Sequence, residues 1–341
     1  MLDETLLHWE NLTRLVNDYK PQGTPLIDSG LFSKAPIEGQ SAVIDIIKVN
    51  RTKAHSTGKR SPSKTIAPEV IKRQPLTLSR AFENVPLPGS TLLNLRNPGS
   101  FNLQKIAADQ VAREVKKMGR RIDYRNEFYM ASALQGSITD TIDGVSFTAD
   151  YMFPASHKIT IGGNELSNDS FGTAWDDTGA KISFDVTKLR QKAREDSGFE
   201  IDTIIAGPEV MDALINNELV STYLRSTQEG IAFMKSGFRG ELFGVKWMEY
   251  GAGYKDDSDV FQRFLPEGVI CAIPAADPLL AELLSGDDVI PTPNKMDVQS
   301  INGRYSYASI TDDPAGIKLF AGEVSLPVIY VPGAFFTATV L

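Results

Sequence analysis

The stretch Ser41–Arg80 reads SAVIDIIKVN-RTKAHSTGKRSPSKTIAP-EVIKRQPLTLSR, and the rest of the chain is best read outward from it. Two β-patterned runs, Ser41–Asn50 and Glu69–Arg80, flank a loop, 51–68, that has almost nothing apolar to bury. From Arg51 onward the cations are Arg51, Lys53, Lys59, Arg60, Lys64, Lys72, Arg73 and Arg80, against the single acid Glu69. The pattern predicts a basic hairpin that reaches outward. The whole chain carries a formal net charge of -8, so a basic arm on an acidic body suits docking on another copy of the same protein. This points to assembly rather than catalysis.

At 341 residues, 42% of them apolar, the chain has enough hydrophobic material for one large domain or two to three smaller ones. An acidic body argues against a nucleic-acid clamp, because its surface repels phosphates. The loop's only ring is His55, so stacking on bases has no support there either. The one cysteine, Cys271, sits in the apolar run GVICAIPA and reads as a buried small hydrophobe. The N-terminus, MLDETLLHWE, carries acids where a signal peptide needs a basic region. Val324–Leu341 has no charge, yet Pro327, Pro332 and Gly333 interrupt it. Two buried strands joined by a Pro-Gly turn fit it better than a membrane helix.

Leu2, Leu6, Trp9, Thr13, Val16 and Tyr19 share one helical face, with Asp3 as a cap. That helix reads equally as an arm or as the first helix of a domain. The strongest helix signal runs from Asn102 to Gln135, with Ala107, Val111, Val115, Met118, Ile122, Tyr129 and Ala133 in one stripe. At 1.5 Å per residue it would be about 50 Å long, a spine for whatever packs on it. An α/β-like unit follows, with a helix over 185–196, a strand over 201–206 and a helix over 208–224. Strand patterns recur at 244–250, 260–265, 269–274 and 317–320, while 285–311 reads mostly as loop. The fold class is therefore α+β.

Catalytic signatures are weak. His8, His55 and His157 are far apart and form no metal-binding spacing, no G-x-S-x-G motif is present, and Gly58-Lys59 lacks the earlier glycine of a phosphate loop. The acidic doublets Asp176-Asp177, Asp256-Asp257, Asp287-Asp288 and Asp312-Asp313 read as solvated loops. The first three are the candidate receptors for a neighbour's basic hairpin. The rival reading makes them carboxylates of a metal-dependent or glycoside-acting enzyme.

The order of arm, long hairpin, spine helix, α/β middle and strand-rich end resembles the major capsid proteins of tailed double-stranded DNA phages, in particular the lambda-type capsid protein E family. FRGELFGVKWMEYGAGY (238–254), RFLPEGVICAI (263–273) and GEVSLPVIYVPGAFFTATVL (322–341) carry the resemblance most clearly. It implies the Hong Kong 97 phage major capsid fold. Residues 1–40 would be the N-terminal arm and 41–92 the extended loop. The peripheral domain would span 93–165, with its spine helix at about 100–136, and the axial domain 166–305. Residues 306–341 would return to the sheets. The resemblance further implies hexamers and pentamers of an icosahedral shell enclosing double-stranded DNA, in a virion assembled in the host cytoplasm. Separate scaffold, portal and decoration proteins are implied partners, with no cofactor, no catalysis and no membrane. Some relatives join subunits by a Lys–Asn isopeptide bond, for which Lys59 or Lys64 stands at the loop position. An encapsulin-like compartment, which shares the fold and encloses protein cargo, is the structural alternative.

Overall fold

In the computed structural model, the described residues are 7–19, 23–47, 53–57, 59, 62–63, 65, 71–89, 103–142, 144–162, 170–256, 258–291, 298–312 and 315–341. The chain begins with helices α1 (Trp9–Asn17) and α2 (Pro25–Ser29) and strand β1 (Ser33–Pro36). A hairpin, β2 (Ser41–Ile47) and β3 (Ile71–Thr77), comes next, and then β4 (Ser79–Pro88) and the long helix α3 (Leu103–Leu134). β5 (Ser137–Ile142), β6 (Val145–Asp150) and β7 (Lys158–Thr160) lead into α4 (Ile182–Asp196) and β8 (Ile201–Ala206). Three short helices follow: α5 (Pro208–Asn216), α6 (Glu218–Ser226) and α7 (Gln228–Lys235). The remainder is β: β9 (Gly240–Leu242), β10 (Val245–Glu249), β11 (Gly253–Lys255), β12 (Phe261–Arg263) and β13 (Val269–Pro274). β14 (Ala281–Ser285), β15 (Asp287–Pro291), β16 (Val298–Asn302), β17 (Tyr305–Asp312), β18 (Ala315–Ile329) and β19 (Phe336–Thr339) complete it.

Two sheets organise these elements. In the five-stranded sheet the long β18 is central. β4 lies along one edge of it, while β17 and then β14 share the other, and β1 adds in parallel outside β14. Pro327 is tolerated in β18 because β4 has already ended at the Ser79–Ser325 pair, leaving that edge without a ladder partner. The six-stranded sheet has the order β7-β19-β13-β8-β10-β9. The apolar tail thus forms two buried strands around a short 3-10 turn at Pro332–Ala334, and the structure sends them to different sheets.

α3 forms where the apolar stripe predicts. Val111, Val115, Met118 and Ile122 are buried against Leu319 and Ala321 of β18 and against Leu12 and Val16 of α1. Gly119 marks the crossing: a Cβ there would lie 2.9 Å from Tyr19 and 3.0 Å from Val16, so the two helices meet only because that atom is missing. α1 is accordingly the seated first helix of the body, with His8 at its N-cap; the expected cap Asp3 lies outside the described residues.

Three other expectations change. Asn217 interrupts the single helix expected over 208–224. Its side-chain oxygen accepts from the amides of Leu219 and Val220 and starts α6. The stretch 285–311, expected mostly as loop, contains β15, β16 and all of β17 but its last residue, whose sparse apolar residues left little periodic signal. The strand expected over 69–80 breaks at Leu78, so β3 stays with the hairpin while β4 crosses to β18.

Candidate assembly surfaces

The hairpin is anchored more firmly than a free arm. β2 and β3 pair in register from Ser41–Thr77 to Ile47–Ile71. Ile44, Ile46 and Leu76 turn inward and join the central core with Tyr129, Leu326 and Val328. The Ile47 amide donates to the Tyr330 carbonyl at 2.9 Å, and the Leu78 amide donates to the Gln40 carbonyl at 2.9 Å. The root therefore belongs to the body, and the alternation of side chains puts the polar partners outside. Lys53, Lys59, Lys72 and Arg73 are exposed. Arg73 makes an exposed pair with Asp45 at 3.3 Å. Arg51, Arg60 and Lys64 lie outside the described residues.

Between the hairpin and the body runs a cleft of about 490 Å³, lined by Ile46, Ile47 and Lys72 on one side and by Met152, His157 and Pro332 on the other. His157 is buried at its base, with Nδ1 3.1 Å from the Phe335 carbonyl and Nε2 2.8 Å from Asp196. Burial pushes Asp196 up, but the hydrogen bonds from His157 and Lys192 outweigh it and hold the carboxyl below its ordinary range. His157 is thus a structural clamp joining α4 to the start of β19.

The acidic doublets behave differently from one another. Asp176 and Asp177 are exposed in the loop before α4, on the rim of an acidic hollow shared with Glu209, Asp212 and Glu218. Asp256 shapes the β11–β12 turn, accepting from the amides of Ser258 and Val260 at 2.9 Å, while Asp257 is outside the described residues. Asp287 and Asp288 correct the loop expectation, since both stand in β15. Asp287 accepts from the Gly39 amide and from Asn302. Asp288 is buried and receives Arg80 at 2.6 Å together with the Tyr305 hydroxyl. Arg80, counted with the hairpin cations, spends its charge inside its own chain.

A buried ionic network that no local motif announces fastens α3 to β18. Arg304 donates to Asp123 at 2.5 Å and to Glu323 at 2.8 Å; Asn126 donates to Glu323 at 3.3 Å, and Lys34 lies 3.7 Å from the other Glu323 oxygen. Lys34, Asp123, Asn126, Arg304 and Glu323 come from distant parts of the chain, with Asn126 and Glu323 alone 197 residues apart, so only the folded chain brings them together. Glu127, one turn along, accepts from the amides of Leu26 and Ile27 and from the Tyr250 hydroxyl, satisfying the first turn of α2.

Cys271 is buried in β13 and its thiol is pushed up to about 12 by burial, the reverse of an activated nucleophile. Among the described residues no three His, Cys, Asp or Glu side chains are grouped to hold a metal ion, and no helix is long and apolar enough to cross a membrane.

A long helix against one sheet, a second α/β layer and an anchored hairpin with exposed cations make up the architecture. The sequence model of phage major capsid protein E matches residues 8–340, and the chain belongs to that family. Among solved structures, a putative prophage capsid protein from E. coli CFT073 superposes with a TM-score of 0.61 at 15% identity, covering 96% of this chain and 97% of that one. A phage-related protein from Bordetella bronchiseptica RB50 gives a TM-score of 0.58 at 13% identity, over 99% and 97%. The capsid of cyanophage P-SCSP1u gives 0.51 at 12% identity, over 91% and 86%. The fold is the Hong Kong 97 capsid fold, in its mixed α+β form. No curated protein matches the chain significantly in sequence.

Proposed function

We propose that this chain is the repeating unit of an icosahedral phage head, assembling as hexamers and pentamers around double-stranded DNA and acting without catalysis. The observation that carries this reading is the family match over residues 8–340, on a chain whose hairpin is rooted in the core and exposes Lys53, Lys59 and Lys72. The hairpin, 41–77 with its loop, would lie over an adjacent copy; Asp176, Asp177 and Asp256 are its candidate receptors, with Arg51, Arg60, Lys64 and Arg73 supporting it from the loop and its root. Exposed charge pairs contribute about 0–1 kcal/mol each, so they set register while strand pairing and apolar burial hold the shell. Permanent contacts of about 2,000–5,000 Å² per interface are the scale required. The α3 body would be the peripheral domain and the six-stranded layer with α4–α7 the axial domain. An acidic body lets packaged DNA slide, by like-charge repulsion. Separate scaffold, portal and decoration proteins, and assembly in the host cytoplasm, complete the proposal.

Electron microscopy of the purified chain tests it. Icosahedral particles are expected, and a uniform small oligomer would refute the reading. Deleting Thr52–Thr65 should leave a folded, soluble subunit that closes no particles.

A further inference from the structure

The five-stranded sheet has one face under α3, and among the described residues no helix covers the other. On the second face, strand alternation and register bring together Phe82 of β4, Tyr305 and Tyr307 of β17, and Phe320 of β18. Tyr307 and Phe320 stack at 4.8 Å, and Phe82 stacks on Phe320 at 5.6 Å. Gly322 makes this possible: a Cβ there would meet the Tyr305 hydroxyl at 2.4 Å and the Phe82 ring at 3.1 Å. Asp288 covers the upper end of the patch by binding Tyr305. Below it the rings reach solvent, with Phe82 37% exposed. Two cations edge the platform, Arg80 at 4.1 Å from the Phe82 centroid and Lys318 at 5.4 Å from that of Phe320. Arg80 is neutralised by Asp288; Lys318 has no carboxylate partner among the described residues.

The opposite chemistry occurs elsewhere on the same chain. The β11–β12 hairpin projects Val260 and Phe261, each 53% exposed, beside a turn that carries the carboxylates of Asp256 and Asp259. Lys255 offsets part of that charge, through Asp259 at 2.7 Å. This finger is braced on the α3 side of the molecule, where Tyr254 packs edge-on against Phe128 at 5.9 Å. Its neighbours there include Arg121 of α3 and its ion-pair partner Glu83, which sits on the helix-covered face of β4. The sheet itself therefore stands between the finger and the platform of one molecule.

We propose that the acidic, apolar β11–β12 finger of one copy docks on the cation-edged aromatic platform of the next, with Phe261 on the Phe82–Tyr307–Phe320 rings and the finger carboxylates facing Lys318. This rests on the shell reading and adds a second, separate contact to that of the basic hairpin. Donor and receptor are different surfaces on opposite sides of the sheet, so the contact is head-to-tail, the kind that propagates into rings and lattices instead of stopping at a dimer. Aromatic packing supplies the burial and Lys318 the orientation. An aromatic sheet face with cations also suits single-stranded nucleic acid. The acidic finger favours the protein partner, because its charge matches what the platform lacks.

Two chains test it, Phe261→Cys and Tyr307→Cys, made separately and mixed before assembly; Lys318→Cys replaces the second if Tyr307→Cys fails to fold. Cys271, the single native cysteine, is buried and inert to the reagent. A short bis-maleimide should give cross-linked dimers from the mixture and not from either variant alone, and Lys318→Glu in the Tyr307→Cys chain should lower the yield severalfold. Particles that form normally without the mixed cross-link overturn the proposal and leave the shell reading standing. Wild-type chains that form no particles overturn the shell reading and the contact with it. Binding of a fluorescent oligothymidylate by the wild type, lost in Tyr307→Ser, reassigns the platform to nucleic acid.

Discussion

The six-stranded sheet and the five-stranded sheet of this molecule solve the problem of burial in opposite ways. In the first, β8 and β13 are buried in apolar surroundings, with Ile204, Ala206, Ile270 and Ala272 sealed against α4–α7 and Trp247. In the second, one face is fastened to α3 by Arg304, Asp123 and Glu323, and the other keeps rings in solvent. The contrast separates a layer complete within one chain from a layer that fixes its geometry by charge and keeps a side free. Apolar burial is strong but indifferent to register, whereas an ionic network holds only in one arrangement.

Substitutions in the two sheets should therefore differ in their effects. Trp247→Ala removes a buried ring and its 3.1 Å hydrogen bond to the Leu242 carbonyl, and should cost about 4 kcal/mol in denaturant unfolding of the subunit. Arg304→Met strands two buried carboxylates and should cost about 3 kcal/mol. Adding Asp123→Leu and Glu323→Leu should recover most of that loss. If the triple variant recovers nothing, the network is a net source of stability and the contrast drawn above is wrong.

Acid divides the two glutamates that serve α3. Burial pushes Glu323 up, but Arg304 and Lys34 outweigh it and hold it below the ordinary range. Its contribution is present above the unfolded value and is lost as pH falls through the depressed folded one. Burial raises Glu127, whose three hydrogen bonds oppose but do not cancel it. The cost of its charge is relieved as pH falls. Midpoints measured across the acid range should therefore fall less steeply in Glu323→Gln and more steeply in Glu127→Gln than in the wild type. At the small end, Arg73→Ala breaks only an exposed pair with Asp45. It should change subunit stability by less than about 1 kcal/mol, with its effect on assembly largest at low salt.

Much of this was legible in the chain. The α3 stripe, the strands at 201–206 and 269–274, and the buried Cys271 follow from local periodicity, which needs no knowledge of distant partners. The two tail strands were visible as apolar runs, although their departure to different sheets was not. β15 and β16 escaped because pairing along their backbones, not an apolar face, holds them together. The same limit hid Asp288: a doublet of acids reads as wet until Arg80 and Tyr305 arrive from elsewhere in the chain. The aromatic platform depends on the register of β4, β18 and β17, which no single window of sequence contains.

The placement of β18 and β19 has a consequence for synthesis. Every strand that pairs with them, β4, β14 and β17 for one and β7 and β13 for the other, is translated earlier. A growing polypeptide therefore leaves the ribosome with both layers missing a middle member, its ladders open and its core unsealed. Neither sheet can close before β18 and β19 have been made, so a chain that still lacks them has no completed layer to present to a neighbour.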